Sequence, residues 1–198
     1  MKLSMRDEAI LYSLDKLGYA TTSQLRTIHS LGSIRNAQRI MKRLSPYVHA
    51  KRVDEYVFYL SKKGRELIGS SKIRKATMQL EHAILRTQAY IHVNMPLVWK
   101  LEEPIRVNGE IFIIPDVTFA YDVDGVRYFA EIDCHQHMKN NYKKMDKYKE
   151  LEEIAKRSGS SIPSVLWYTR SNYRRTRLTL GLENRNMTVR VFSLDDLR

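Results

Sequence analysis

Residues 33–44 read Ser33-Ile34-Arg35-Asn36-Ala37-Gln38-Arg39-Ile40-Met41-Lys42-Arg43-Leu44. Ser33 carries the kind of side-chain oxygen that caps a helix N-terminus. Ile34, Ala37, Ile40, Met41 and Leu44 recur at helical spacing and predict a buried side. The other side presents Arg35, Asn36, Gln38, Arg39, Lys42 and Arg43, and Pro46 stops the helix. A charged helix face is most often plain solvated surface. Here, however, no acidic residue lies between Arg26 and Asp54, which favours a surface that meets a polyanion.

Upstream, Ile10, Leu11, Leu14 and Leu17 predict a first helix ended by Gly18. Thr22 is placed to cap a short second helix through Leu25 and Ile28, closed at Leu31-Gly32. Downstream, Tyr47–Val53 and Tyr56–Leu60 are strand-like runs about Asp54-Glu55, and Ser61 opens a helical turn over Lys62–Ile68. Three helices followed by a β-hairpin resembles the order of a winged helix-turn-helix. The stretch Tyr59–Leu67 is similar to the end of the wing in many bacterial regulators of that class. In such a module Arg35, Asn36, Gln38 and Arg39 would face base edges in a major groove. Lys and Arg at the rim would neutralise phosphates, and Lys42, Arg43, Lys51 and Arg52 are further candidate DNA contacts. Winged-helix modules also dock proteins, so both kinds of partner stay open at this point.

The whole chain has 198 residues, with 34 Lys+Arg against 22 Asp+Glu and a formal charge of +12. That length suits one or two domains. Hydrophobic residues at 43% and charged residues at 28% are globular usage and argue against disorder. No apolar run approaches the roughly 18 residues of a membrane span. The start, MKLSMRDEAILYSLDKL, lacks the unbroken apolar stretch of a signal peptide. A single cysteine, Cys134, excludes an internal disulfide and a CxxC zinc site. The expectation is a soluble cytoplasmic protein with a polyanionic partner. The excess charge is uneven: residues 1–72 hold 14 basic and 6 acidic side chains, against 20 and 16 in residues 73–198. Gly69–Lys75 has the small polar residues of a connection, so the domains are expected at 1–72 and 73–198.

In the second part, Thr77 is placed to cap a helix from Met78 to Val93, with Leu80, Ile84, Leu85, Ala89 and His92 inward and Pro96 as its stop. Three β-rich runs follow: Leu97–Val107, Ile111–Asp122 and Val126–Cys134. The Asn108-Gly109 and Asp124-Gly125 turn signals predict a meander. A long helix over Met138–Arg157 carries an apolar stripe of Met138, Tyr142, Met145, Tyr148, Leu151 and Ala155, and Gly159 ends it. A buried strand at Ser164–Thr169, a basic helix at 172–184 and a last strand at Thr188–Leu194 complete the order α-β-β-β-α-β-α-β.

That order, with Pro115-Asp116 on one strand and Glu131-Ile132-Asp133 on the next, resembles the PD-(D/E)xK nuclease-like fold. With the winged helix in front, Glu81-His82 on the first core helix, and Lys144 followed by Tyr148, the chain resembles the bacterial replication-relaxation family. The resemblance spans nearly the whole chain. It implies an α+β protein of a plasmid or other mobile element, acting on double-stranded DNA in replication control or transcriptional regulation.

The resemblance also implies a site. Asp116 and Glu131 would hold Mg²⁺ or Mn²⁺ through hard oxygen ligands, and a Lys would orient water or stabilise charge. Period-two alternation places Glu131 and Asp133 on one side of their strand. The third motif position, Lys in the active pattern, is Asp133 here. Lys144, flanking the apolar stripe one turn before Tyr148, is then the substitute expected to reach inward, and Glu81 could add a carboxylate. A metal-dependent endonuclease or nickase, a degenerate site and a purely structural cluster all stay open. His135 and His137 continue the alternation, but the strand is expected to end near Cys134, before them. Arg170, Arg174, Arg175 and Arg177, beside Tyr168 and Tyr173, form a second basic cluster. Of these, Arg174 and Arg175 are candidate DNA contacts, with a solubilising helix face as the alternative. A homodimer pairing two half-sites is a further expectation.

Overall fold

The computed structural model describes residues 3–75 and 80–197, so the expected cap Thr77 and helix start Met78 lie outside the described residues. The chain is mixed α+β and divides into two compact units, Met1–Met95 and Pro96–Arg198.

In the first unit Ser4 caps α1 (Met5–Leu17), exchanging hydrogen bonds with Asp7 three residues on. A two-residue strand, β1 (Ala20–Thr21), precedes α2 (Thr22–Ile28). The cap of α2 is Thr21 rather than Thr22, because Gln24 sits at the third helical position and returns a hydrogen bond to the Thr21 N–H. Then come α3 (Ile34–Arg43), β2 (Val48–Arg52), β3 (Tyr56–Leu60) and α4 (Lys62–Ile68). The strands form an antiparallel sheet in the order β1-β3-β2. Ile10, Leu11 and Leu14 of α1, Leu25 of α2, Ala37, Ile40 and Met41 of α3, and Val48, Phe58 and Leu60 of the hairpin make one core. Burying such an aliphatic side chain is worth about 1.5–3 kcal/mol.

The unit runs past residue 72 because α5 (Leu80–His92) packs within it. Leu80 and Ala83 join Tyr19 and Val57 in a second apolar cluster. Buried Thr87 donates to the carbonyl of Tyr19 at 2.7 Å, and Gln24 Nε2 donates to the carbonyl of Ile84 at 2.8 Å. Of the residues expected inward on this helix, His92 is exposed instead, while Arg86, which is not among them, is buried.

In the second unit prolines subdivide two of the expected strands. Pro104 separates β4 (Val98–Leu101) from β5 (Ile105–Val107), and Pro115 separates β6 (Glu110–Ile113) from β7 (Val117–Ala120). β5 and β6 pair as a separate hairpin through Asn108-Gly109, whose φ values of 50° and 84° are those of a tight turn between antiparallel strands. After β8 (Tyr128–Asp133) come α6 (Met138–Ser158), β9 (Ser164–Thr169), α7 (Asn172–Glu183) and β10 (Arg190–Ser193), with a 3-10 turn at Leu194–Leu197. The main sheet has the order β10-β9-β8-β7-β4. β8, β9 and β10 are parallel, while β7 and β4 are antiparallel to their neighbours. Each parallel pair is joined by a helix, as the crossover requires. Met145, Tyr148, Trp167, Leu178 and Leu182 lie at the centre of that core.

Candidate functional site

Two arrangements of polar groups stand out, one in each unit. The first is the outer face of α3. Arg35, Gln38, Arg39 and Lys42 are all exposed, and their spacing puts them on one stripe of the helix. Ile34, expected in the core, is 47% exposed instead, because the first helical turn precedes the closest packing at Ala37, Ile40 and Met41. Asn36 is half-buried. Its Nδ2 donates to the carbonyl of Leu31 at 2.8 Å, and its Oδ1 accepts from Arg39 at 2.9 Å. Arg43 turns away from the stripe to buried Asp7 on α1, at 2.5 Å. Burial pushes the Asp7 carboxyl up, but hydrogen bonds from Arg43 and Ser4 outweigh it and hold the group below its ordinary value.

On the hairpin, Lys51 and Arg52 are exposed on β2, and the Arg52 guanidinium lies 5.9 Å from the centre of the Tyr56 ring. Glu55, beside the hairpin tip, accepts from the Ser23 N–H and hydroxyl at 2.9 and 3.0 Å, which ties it to the start of α2. Among the described residues no carboxylate pairs with Arg35, Arg39, Lys42, Lys51 or Arg52. The result is a line of uncompensated bases and one free amide.

The second arrangement is buried behind the sheet of the second unit. Asp116, just before β7, accepts from the Ile132 N–H at 2.7 Å. Glu131 on β8 is fully buried. Its Oε2 accepts from Lys144 Nζ of α6, its Oε1 accepts from the Tyr148 hydroxyl at 2.7 Å, and the same ammonium lies 3.6 Å from Asp116. Asp116, Glu131 and Lys144 thus come together, and Lys144 reaches inward as its place beside the apolar stripe predicts. Burial pushes the Glu131 carboxyl up to about 8, with the Asp116 charge adding to it and Lys144 opposing. Lys144 is itself desolvated, yet the two carboxylates hold it above its ordinary value. Desolvation and the Glu131 charge raise the Tyr148 hydroxyl well above its ordinary value, so it serves as a hydrogen-bond donor.

Asp133 shares the strand side of Glu131 but belongs to a different cluster. Arg174 of α7 grips it with two hydrogen bonds, at 2.5 and 2.6 Å. Thr169 donates to it at 3.0 Å and Asn141 at 2.8 Å. Asp133, Thr169 and Asn141 are all fully buried. The nuclease chemistry needs carboxylates that leave coordination positions open. Here only Asp116 and Glu131 converge, the Lys144 ammonium already supplies the cation between them, and Asp133 is committed to Arg174. Among the described residues no group of three His, Cys, Asp or Glu could hold a metal ion. Asp116 and Glu131 are the carboxylates that would hold Mg²⁺ or Mn²⁺, and the Lys144 ammonium now stands between them.

Of the other expected residues, Glu81 and His82 lie on α5 in the first unit. β8 ends at Asp133, before the histidines; His135 contacts Arg170 at 2.9 Å, and His137 precedes α6. Arg175 pairs with Asp196 at 2.8 Å. Tyr168 is fully buried and unable to stack on a base, whereas Tyr173 is 70% exposed. Residues that the sequence reading did not place in a site include Asp7, Asn141 and Thr169. Asn141 had a usable signal: it is a polar residue one turn from Met138 and Met145 on the buried stripe of α6.

A family model described as replication-relaxation matches residues 11–165. No curated protein and no solved structure matches the chain. Among the described residues no helix is long and apolar enough to cross a membrane.

Proposed function

The chain belongs to the replication-relaxation family, and from that premise we propose that it is a DNA-binding protein of a bacterial plasmid or other mobile element, acting in replication control or transcriptional regulation. The first unit serves as a winged helix. In this reading α3 enters the major groove of double-stranded DNA, and the β2–β3 hairpin, with Lys51 and Arg52, lies along the backbone as the wing. The second unit is a nuclease-like domain whose carboxylates have become internal ion clusters. Two copies binding adjacent half-sites would match the usual economy of such readers.

The observation that carries the proposal is the stripe Arg35, Gln38, Arg39 and Lys42, exposed and, among the described residues, without a carboxylate partner. Each base that neutralises a phosphate releases condensed counterions, so log affinity falls linearly with log salt. In a fluorescence-anisotropy titration on duplex DNA, Arg35→Ala with Arg39→Ala should weaken binding at least tenfold at low salt. The salt slope should fall by about 0.9 for each phosphate that the variant leaves unneutralised. Unchanged affinity and slope would overturn the reading. Incubation of supercoiled plasmid with the protein and Mg²⁺ or Mn²⁺ tests the second unit. Intact plasmid is expected, while nicking by the wild type and not by Asp116→Ala would restore the endonuclease reading.

A further inference from the structure

Resting on the DNA-binding reading of α3, we propose that Ile34 is a specificity-determining residue that reads the methyl group of a thymine, with Arg35 and Gln38 as the accompanying base contacts. Three observations support it. Ile34 opens the helix and is the one large apolar side chain of α3 left on its outer surface, 47% exposed while Ala37, Ile40 and Met41 are buried. Recognition helices contact base edges mainly through their N-terminal residues, which places Ile34, Arg35 and Gln38 nearest the bases. Arg39 and Lys42, a turn or more further on, are then left for the backbone. The thymine C5-methyl is the one apolar feature on the major-groove edge, and an aliphatic side chain is its natural complement.

The hydrogen bonds remove the obvious competitor. Asn36 could pair bidentately with adenine if its amide were free. Both ends of that amide are in use, on the Leu31 carbonyl and on Arg39. Asn36 thus acts as a positioning residue that aims Arg39. Gln38 is exposed on the same side as Ile34, one turn along, and no hydrogen bond within the described residues engages it.

The test selects a duplex from a randomised pool with the full-length protein, then replaces each thymine singly by deoxyuridine, which removes only the methyl. One replacement should weaken wild-type binding about fourfold, the value of one buried methyl-sized group. Ile34→Ala should bind the selected duplex more weakly and be indifferent to that same replacement. Insensitivity of the wild type to every replacement, or equal sensitivity in Ile34→Ala, overturns the proposal. DNA binding without enrichment of any sequence also overturns it, while leaving the broader reading intact. Absence of any duplex binding sinks both. Because Ile34 lies outside the core, its replacement leaves folding intact, which circular dichroism checks directly.

Discussion

At the scale of single residues, charge burial separates what is structural from what is available. Glu131 is fully buried beside a second carboxylate, and its proton affinity rises accordingly, to about 8 from 4.5. The folded protein then holds that proton more tightly than the unfolded chain does. Stability must fall as pH climbs through the interval between the two values, because ionisation there is easier in the unfolded state. Lys144, raised above its ordinary 10.5, contributes stability that is lost only in stronger alkali, outside that interval. Glu131→Gln keeps the shape and removes the titration. Between pH 5 and pH 9 the unfolding free energy of the wild type, from denaturant titration, should therefore decline relative to that of the variant by roughly a few kcal/mol. Parallel pH profiles for the two proteins would refute the assignment. Much of this cluster is readable in the sequence: alternation puts Glu131 and Asp133 on one side, and the helical stripe aims Lys144 inward. The grip of Arg174 on Asp133 is not readable, because 41 residues separate the pair. A helix reading Asn-Tyr-Arg-Arg looks like solvated surface until its partner strand is placed.

At the scale of elements, regular periodicity survives folding and long-range hydrogen bonds decide the rest. α1, α3 and α6 stand close to where their apolar spacing and stop residues put them, and β2 and β3 pair as a hairpin about Asp54-Glu55. The departures have specific causes. Pro104 and Pro115 cannot donate to a strand ladder, so two long β runs become four short strands. α5 joins the first unit through Thr87 to Tyr19 and Gln24 to Ile84, contacts that span 68 and 60 residues and leave no local signature. The contact of α6 with α7 rests on an equally quiet residue. A Cβ at Gly181 would lie 2.7 Å from Cε1 of Tyr142 and 3.2 Å from Sδ of buried Met145. Alanine there would gain about 1 kcal/mol of helix propensity. Overpacking against a well-filled core costs about 1–3 kcal/mol. The second effect wins because the Cβ would meet the Tyr142 ring at 2.7 Å, closer than such atoms pack, with fully buried Met145 beside it. Gly181→Ala should lower the thermal midpoint, and a rise would mean that the two helices separate without cost.

At the scale of the molecule, the +12 charge is less a bulk property than a difference in how two sets of bases are used. In the second unit Lys144 is answered by Glu131, Arg174 by Asp133, Arg175 by Asp196 and Arg185 by Asp146. On α3 and the hairpin the exposed bases Arg35, Arg39, Lys42, Lys51 and Arg52 have no such answer among the described residues. Counterion release counts only bases that are free to meet phosphate, so the α3 and hairpin bases should set the salt dependence of DNA binding and the paired bases should set stability. Two double variants separate these roles. Arg174→Ala with Arg175→Ala leaves Asp133 buried without its cation, which costs about 3 kcal/mol when such a pair is broken from one side. Its affinity for duplex DNA, measured well below its unfolding temperature, should stay within about twofold of the wild type, because both guanidiniums are already held on carboxylates. Arg35→Ala with Arg39→Ala should do the reverse, lowering affinity while moving the thermal midpoint by no more than about 4 °C, since each exposed substitution changes stability by at most about 0.5 kcal/mol. Should the α7 pair lower affinity as far as the α3 pair does, those arginines would exchange their carboxylates for phosphates on binding. The ion clusters of the second unit would then be a reserve of positive charge released by DNA.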